Sequence, residues 1–522
     1  MAKPLTCEKA EGPAEALARD ADLEAVRALP GQPSNPGRQC PSRFALPETS
    51  YEGPPTASLV SKQMGRVSLT LLAIALLASA AGCSVQSRSD VARVRGVIHH
   101  GAWVHVTVVD GDRGTRVPGA FVRIGRRARI SDRHGVARVH LKRRAALVVR
   151  VRRRGYAPAA QRFQFRNHPL RTVRVYQPKL QWTMYGVGPT RTQAQPHIRL
   201  RPPFRIAWSR GMAGLLEFPA VVSDGVAYIG NYWGSVRAVK MGNGALVWRH
   251  DIRDGKMASS PAVVGDQVIV HGMAGTVWAL DRRNGRVLWH RRIGSPIESS
   301  PVAWRGVDYF GAWNGAVYAL DLRTHRIRWI YRSGAKITSS AARVGNTVYI
   351  GDYAGRLLAL SARTGRRRFS VSVNGRIYGS PAVAAGRIFV PSSTGNSLTA
   401  FSRRGVRLWT IHTGGYVYSS PAVWAGRVYF GSYTGILYCV SARNGRVLWR
   451  YSSGRPIYGS PVVVDGVVYF SNAYHRIYGL NARTGRSVFR FPDGDFVPVS
   501  GNGRLLLLHG FSRLYAVEPR RR

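Results

Sequence analysis

The sequence predicts an all-β protein whose larger part is an eight-bladed β-propeller of four-stranded blades. The first observation is an aromatic beat: Trp208, Trp248, Trp289, Trp329, Trp409 and Trp449 recur at about forty residues, with Phe369 and Phe489 filling the two missing places. A period of that size marks an array of small repeated units. The second is the content of each period, four short segments of alternating polarity separated by Gly, Asn and Asp turns, with no helical spacing of apolar residues. The third is that the two ends of the array are complementary, as the elements taken in order make plain.

The stretch from Ser299 to Trp329 shows one period: SSP, an apolar run, a Gly turn, DYFGAWNG, an alternating VYALD, a tight turn and IRW. Four strands with turn signals every eight to twelve residues fit a propeller blade and not a helix-pair solenoid. The inner-strand block begins at Glu217, Ser259, Ser299, Ser339, Gly379, Ser419, Gly459 and, degenerate, Val497. The last block runs through LLLLHG and SRLYAVE to the C-terminus without a Trp strand. The first Trp strand, FRIAWSR from Phe204, has no inner strand before it. Joined, they complete an eighth blade by terminal-strand closure and leave no open end for edge-to-edge association.

Each Trp strand follows a tight turn, as in ALDRRNGRVLW from Ala279 to Trp289, where Asp can bond the turn backbone and Asn-Gly supplies the positive φ. The small residues Ala238, Ala279, Ala319, Ala359, Ala400, Gly479 and Ala516 open the motif and leave room for a neighbouring indole. Cys439 fills this slot once and reads as a small core residue, not a reactive thiol.

This recurring SSPAV, Gly-x-Val-Tyr-x-Gly and ALD-x-x-T/N-G-x-x-x-W pattern resembles the pyrroloquinoline-quinone-type propeller repeat over roughly residues 204–519. The resemblance implies the fold strongly and the chemistry weakly, because the family holds both quinoprotein dehydrogenases and a propeller lipoprotein of the outer-membrane β-barrel assembly machinery. Three departures stand out: Thr324-His325 for the usual Thr-Gly, Ser339-Ser340-Ala341 without Pro, and Lys240 where other repeats carry Asp, Ser or Asn. In the family, the dehydrogenases use adjacent cysteines beside the quinone, calcium held by Glu, Asn and Asp, and an Asp base. This chain has no such Cys pair, and after Cys83 its Glu residues are Glu217, Glu298 and Glu518. A calcium ion wants six or more oxygen ligands, and these acids are dispersed. Asp281 and Asp321 fall at turns, while His271, His412 and His475 lack metal spacing. The reading is therefore non-enzymatic, with no catalytic residues, no metal and no cofactor. The alternative is a dehydrogenase dependent on pyrroloquinoline quinone (PQQ) and calcium.

From Met64 the chain reads MGRVSLTLLAIALLASAAGC. One Arg, a short apolar run and small residues make residues 64–82 a signal peptide, too short in its apolar part to span a bilayer. Ala80-Ala81-Gly82-Cys83 resembles a bacterial lipobox, which implies lipidation at Cys83, although Ala80 stands where Leu is usual. The other reading is an uncleaved signal anchor. Residues 1–63 are polar, rich in Ala, Pro and Glu and without a period, so Met64 is expected to be the true start, with 1–63 disordered or not made. Either way the chain is expected to be exported and membrane-anchored. A mature chain from Cys83 would keep only Cys439 as a thiol, so its fold must rest on its core and ring closure.

Residues 102–177 alternate cleanly through VHVTVVD, AFVRIG, ARVHL, ALVVRVRRRGY and RTVRVYQ, which predicts a small antiparallel β-sandwich. The order of VTVVDGDRGTRVPGAFVRI, SDRHGVARV and LVVRVRRRGYAP is similar to carboxypeptidase regulatory-like domains of transthyretin-like fold. That resemblance implies a spacer or binding module, with Pro118-Gly119-Ala120 opening the second strand and a hairpin turn at Asp132 to Gly135. Residues 178–203 form the linker, an irregular strap whose Trp182 and Tyr185 are expected to dock on the propeller.

The formal net charge is +51, from 77 Lys and Arg against 26 Asp and Glu. An excess of this size suits an anionic partner, whether an envelope polymer, an acidic glycan or a membrane surface, and nucleic acid is disfavoured for an exported chain. Arg clusters in the turns between third and fourth strands, at Arg282, Arg283, Arg286, Arg363, Arg366, Arg403, Arg404, Arg443, Arg446, Arg483 and Arg486, and so forms a basic face. The opposite face gathers Tyr378, Tyr416, Tyr418 and Tyr458 from loops entering the inner strands, with Trp313, Tyr353 and Tyr433 from the loops between second and third strands. Tyr232, Trp233 and Tyr474 join them, and Lys256, Lys336, Arg376 and Glu298 can add polar selectivity. Aromatic loop tips around a depression offer contact area at small entropic cost, which suits a protein strand or a sugar ring. The expectation is a monomeric binding scaffold for a protein or cell-envelope glycan.

Overall fold

The computed structural model describes residues 102–141, 146–164, 170–252, 255–494 and 496–520, which fall within one compact unit, His99–Arg522. The leader 64–82, Cys83 and the segment 1–63 lie outside the described residues. Among the described residues the regular structure is all β apart from a 3-10 turn at Pro178–Leu180, and no helix there is long and apolar enough to cross a membrane.

The N-terminal module is two facing sheets. One orders strands Val136–Leu141, Ala102–Asp110 and Leu170–Val175; the other orders Arg127–Ile130, Phe121–Ile124, Ala146–Arg152 and Ala159–Gln164. Alternation sends Val104, Val106 and Val108 inward from one sheet against Val122, Ile124, Val149 and Val151 of the other, all buried. Two details correct the sequence reading. Ala102–Asp110 and Leu170–Val175 run parallel, because the last strand crosses back from the other sheet, so the sandwich is not purely antiparallel. The turn at Asp132 to Gly135 is no hairpin: it carries the chain from Arg127–Ile130 in one sheet to Val136–Leu141 in the other. Asp132 Oδ1 holds this crossover by accepting the N–H groups of His134 (2.9 Å) and Val136 (3.0 Å).

The propeller part begins with a sheet of strands Val221–Ser223, Val226–Gly230, Ser235–Lys240 and Leu246–Asp251, in chain order. Five more sheets of four consecutive strands cover residues 262–292, 302–332, 342–372, 382–412 and 422–452, and a sixth, at 462–491, adds Ala194–Gln195 as a fifth strand beside Val462–Val464. An eighth orders Val499–Gly501, Leu506–His509, Arg513–Pro519 and then Phe204–Gly211, so the chain's last strand pairs antiparallel with the first Trp strand, Ala516 opposite Trp208. Arg205 and Glu518 add an ion pair at 2.5 Å across that seam. In the first sheet the register shifts between Ala238 and Val239, and the same shift follows the small residue opposite the Trp or Phe in the other seven. A bulge there increases the twist of the outer pair.

Neighbouring sheets are joined by the indoles. Trp208 Nε1 donates to the Met241 carbonyl (2.8 Å), Trp248 to Arg282 (3.0 Å), Trp329 to Ala362 (3.0 Å), Trp409 to Ala442 (3.4 Å) and Trp449 to Ala482 (3.3 Å). Each of these rings lies on the turn glycine of the next sheet: a Cβ on Gly244, Gly285, Gly365, Gly445 or Gly485 would stand less than 3.0 Å from it. The room for the neighbour's indole is thus made by the turn glycine. The small residue at the start of the motif faces the Trp of its own sheet, as Ala279 faces Trp289, which corrects the sequence reading. The departure at His325 becomes intelligible here. His325 holds φ 58° in the glycine's place and stacks on Trp289, centroids 4.5 Å apart and planes 23° apart. Cys439 is buried opposite Trp449, and burial pushes its thiol up to about 12.

Candidate functional site

Serines bind the innermost strands of consecutive sheets to one another. The backbone N–H of Ser260 donates to Ser300 Oγ (3.0 Å), Ser300 to Ser340 (2.9 Å), Ser340 to Ser380 (3.0 Å), Ser380 to Ser420 (2.9 Å) and Ser420 to Ser460 (2.9 Å). The second Ser of each SSP block is therefore a clasp between consecutive sheets, each hydroxyl satisfying a buried amide that neither sheet ladder reaches.

The segment read as the linker lies across these inner strands. Its carbonyls accept the free amides of six inner strands: Trp182 from Val222 (2.7 Å), Thr183 from Val263 (2.8 Å), Pro189 from Arg343 (2.6 Å), Thr190 from Val383 (2.9 Å), Thr192 from Val423 (2.8 Å) and Gln193 from Val463 (2.8 Å). Ala194–Gln195 then pairs parallel with Val462–Val464. Trp182 and Tyr185 are buried, and the Tyr185 hydroxyl bonds Ser420 and Ser460 Oγ, each at 3.0 Å. Arg191 of the same segment is fully buried. Its guanidinium donates to the carbonyls of Ala341 (2.9 Å), Ser300 (3.0 Å), Pro301 (2.9 Å) and Tyr185. Burial lowers its pKa to about 10, partly countered by Tyr185 and Asp308. Asp308 is itself buried and bonded through Oδ2 to His271 Nε2 (2.9 Å), while His271 Nδ1 donates to the Ser299 carbonyl (2.6 Å). His271 is thus a structural link; His475 packs its ring on Phe511.

The loops entering the inner strands carry the aromatic mouth. Glu298 lies at its centre, accepting from the Tyr378 hydroxyl (2.5 Å) and from Trp313 Nε1 (3.1 Å). Tyr378 packs edge-on against Tyr418 (5.6 Å), and Tyr418 meets Tyr416 (5.7 Å) and Tyr433 (6.2 Å). On the other side Lys336 Nζ sits over the Trp313 ring (3.5 Å) and the Tyr353 ring (5.2 Å), and Arg376 also covers Tyr353 (5.8 Å). Tyr458 packs on Phe496 (5.1 Å). Tyr232 lies beside Trp233, with Lys256 over its ring. Trp313 and Tyr433 remain 38% and 37% exposed, whereas Tyr353, Tyr378, Tyr416, Tyr418 and Tyr458 are half-buried. Burial raises the Glu298 carboxyl above its ordinary pKa against the two hydrogen bonds, and burial followed by the Glu298 charge raises the Tyr378 hydroxyl well above its own. The result is one acceptor carboxyl and two cations held among aromatic rings.

On the basic face, Arg283, Arg286, Arg363, Arg366, Arg404, Arg443, Arg446 and Arg483 are all exposed at the turns. Arg283 meets Asp266 at 3.3 Å, and Arg483 lines a groove of about 750 Å³ with Arg199, Arg201 and Trp424. Two contributors escaped sequence reasoning: Arg191 had no local signal, whereas the serine clasp could have been found from the recurrence of the second Ser at forty residues.

The repeat family whose description is outer membrane protein assembly factor BamB matches residues 179–345, 313–420 and 405–520. Among curated proteins, the outer membrane protein assembly factors BamB of Yersinia pestis and of Moranella endobia (strain PCIT) are each 30% identical over 125 residues. That alignment covers 21% of this chain and spans about a third, 32%, of each relative's length. Among solved structures, BamB from Moraxella catarrhalis aligns at TM-score 0.53 and 17% identity, over 62% of this chain and 99% of that one. The quinohemoprotein alcohol dehydrogenase from Comamonas testosteroni aligns at 0.56 and 15%, over 66% and 81%. The designed protein Ika8 aligns at 0.54 and 15%, over 60% and 98%. These likenesses establish a β-propeller of PQQ-like repeats.

Proposed function

Because the chain belongs to the repeat family described as outer membrane protein assembly factor BamB, we propose that it is a non-catalytic binding scaffold of the cell envelope. Its eight sheets act as eight blades of a ring closed by the Phe204–Gly211 strand, and the transthyretin-like module before them is a spacer. The observation that carries the reading is the mouth: Trp313, Glu298, Tyr378, Tyr418 and Tyr433 form one connected cluster at loop ends of the sheets, while the 182–195 strap covers the inner-strand amides. Such a cup can hold a protein segment by ring contacts and by hydrogen bonds to Glu298. A protein is favoured over a glycan as ligand because the named relatives are protein-assembly factors. The Arg turns of the opposite face are left to anionic envelope polymers.

The test is capture from envelope extracts by the parent chain and by Trp313→Ala/Tyr433→Ala, whose exposed positions spare the core. Loss of the captured protein in the double variant is expected; equal capture would remove the mouth from the argument. Anchoring at Cys83 is a separate part of the proposal, read by incorporation of labelled fatty acid into the parent and not into Cys83→Ser. The non-catalytic part is read by supplying PQQ and calcium to purified protein. No dye reduction with alcohols or sugars is expected, and reduction would replace the scaffold with a dehydrogenase.

A further inference from the structure

We infer that the outward face of the four-stranded sheet in the N-terminal module is a docking surface for an anionic lipid bilayer. The inference rests on that sheet alone and is independent of the mouth and of acylation at Cys83.

Pairing fixes which side chains share the face. Phe121 stands between Ile130 and Arg152, and Arg123 stands between Ala128 and Arg150, which is followed by Ala160. The alternate residues Val122, Ile124, Val149 and Val151 are buried in the sandwich, so this row has only one direction left. Phe121 is 44% and Ile130 67% exposed, and Arg123, Arg150, Arg152 and Arg162 are exposed as well. Among the described residues none of these four guanidinium groups has a carboxylate partner. Residues 102–177 hold three acids, Asp110, Asp112 and Asp132; the first two are buried and the third serves the turn between sheets. At one edge, Arg152, Arg153 and Arg154 line a depression of about 280 Å³ with Phe121 and Tyr156.

Charge alone calls for an anion, and the apolar residues decide which. A nucleic acid or a polyphosphate would satisfy the guanidinium groups and leave Phe121 and Ile130 facing water. A bilayer surface satisfies both, with phosphates at the Arg heads and acyl chains at the two apolar side chains, while the Arg stems lie along the boundary.

The experiment is vesicle cosedimentation of the full chain carrying Cys83→Ala, which removes acylation from every arm. Vesicles contain phosphatidylethanolamine with phosphatidylglycerol, or phosphatidylcholine alone. Binding to the anionic vesicles and little to the neutral ones is expected. Arg123→Gln/Arg150→Gln/Arg152→Gln should lower the anionic partition coefficient about a hundredfold, since each cation near such a surface is worth roughly a factor of five. Phe121→Ser/Ile130→Ser should lower it about tenfold. Arg291→Gln/Arg292→Gln/Arg332→Gln, which removes the same charge from exposed outer strands of the propeller, should change it far less. Unchanged thermal profiles show that each exposed substitution spares the fold. Equal loss in the two Arg variants, or no loss in Phe121→Ser/Ile130→Ser together with full competition by soluble polyphosphate, would overturn the proposal.

Discussion

Replacing Arg191 by Met tests whether the strap is part of the propeller's structure or an ornament laid on it. The guanidinium satisfies four backbone carbonyls, those of Tyr185, Ser300, Pro301 and Ala341. Leaving a buried carbonyl without its donor costs about 1–2 kcal/mol, so four give roughly 4–8 kcal/mol. Against this stands the charge itself: a pKa lowered from 12.5 to about 10 by burial corresponds to about 3 kcal/mol of unfavourable desolvation that Met does not carry. The hydrogen bonds outweigh the charge, and a net loss of about 3 kcal/mol is expected. For a unit of this size that lowers the melting temperature by roughly 3–5 °C. Arg191→Lys should lose nearly as much, because one ammonium cannot reproduce the planar fork. The assay is scanning calorimetry at neutral pH, paired with limited proteolysis read at residues 182–195. An unchanged melting temperature with undiminished protection of that segment would refute the reasoning.

The remaining predictions concern single side chains. Asp112 is raised from 3.8 to about 6 by burial, so its effect favours the folded state fully below about pH 3.8 and is lost as pH rises to 6. Asp112→Asn should therefore stabilise by up to about 3 kcal/mol at pH 8 and by nothing at pH 3.5, read by denaturant unfolding at both. His325→Val should destabilise by about 2 kcal/mol, since a β-branched residue disfavours φ 58° and the stack on Trp289 is lost. His325→Gly, which relieves the backbone, should stay within about 1 kcal/mol of the parent. Cys439, its thiol near 12 and buried, should react with an aromatic disulfide reagent only at the rate of unfolding.

The sequence made the sheets legible because their cause is periodic. Four alternating segments, a turn glycine and a Trp each forty residues leave little choice of element, and the unmatched strands at Phe204 and Val497 pointed to each other before any coordinates did. The direction of the last sandwich strand was not legible. Alternation states which side chains turn inward and says nothing about whether Leu170–Val175 runs with or against its neighbour. Trp182 and Tyr185 announced that the strap would dock, but its path was illegible: its six bonds are made by main-chain carbonyls, which every residue possesses, so no residue pattern records them. Arg191 looked like any Arg in a chain crowded with them. In the mouth, strand alternation could assign the aromatic residues to one face. The contact between Tyr378 and Glu298, eighty residues apart, depends on how sheets sit side by side.

The strap also sets how tension would enter the molecule. Any load borne by the segment before residue 178 arrives first at Gln181, whose Oε1 accepts the Asp224 N–H, and then, carbonyl by carbonyl from Trp182, at six different sheets. Those bonds stand in series along the strap, so a pull would break them one at a time, like a zip, and Arg191 would be a locked tooth partway along. A tether drawn taut would thus lengthen by a few residues as these bonds open in turn, a mechanical fuse placed between the N-terminal module and the sheets.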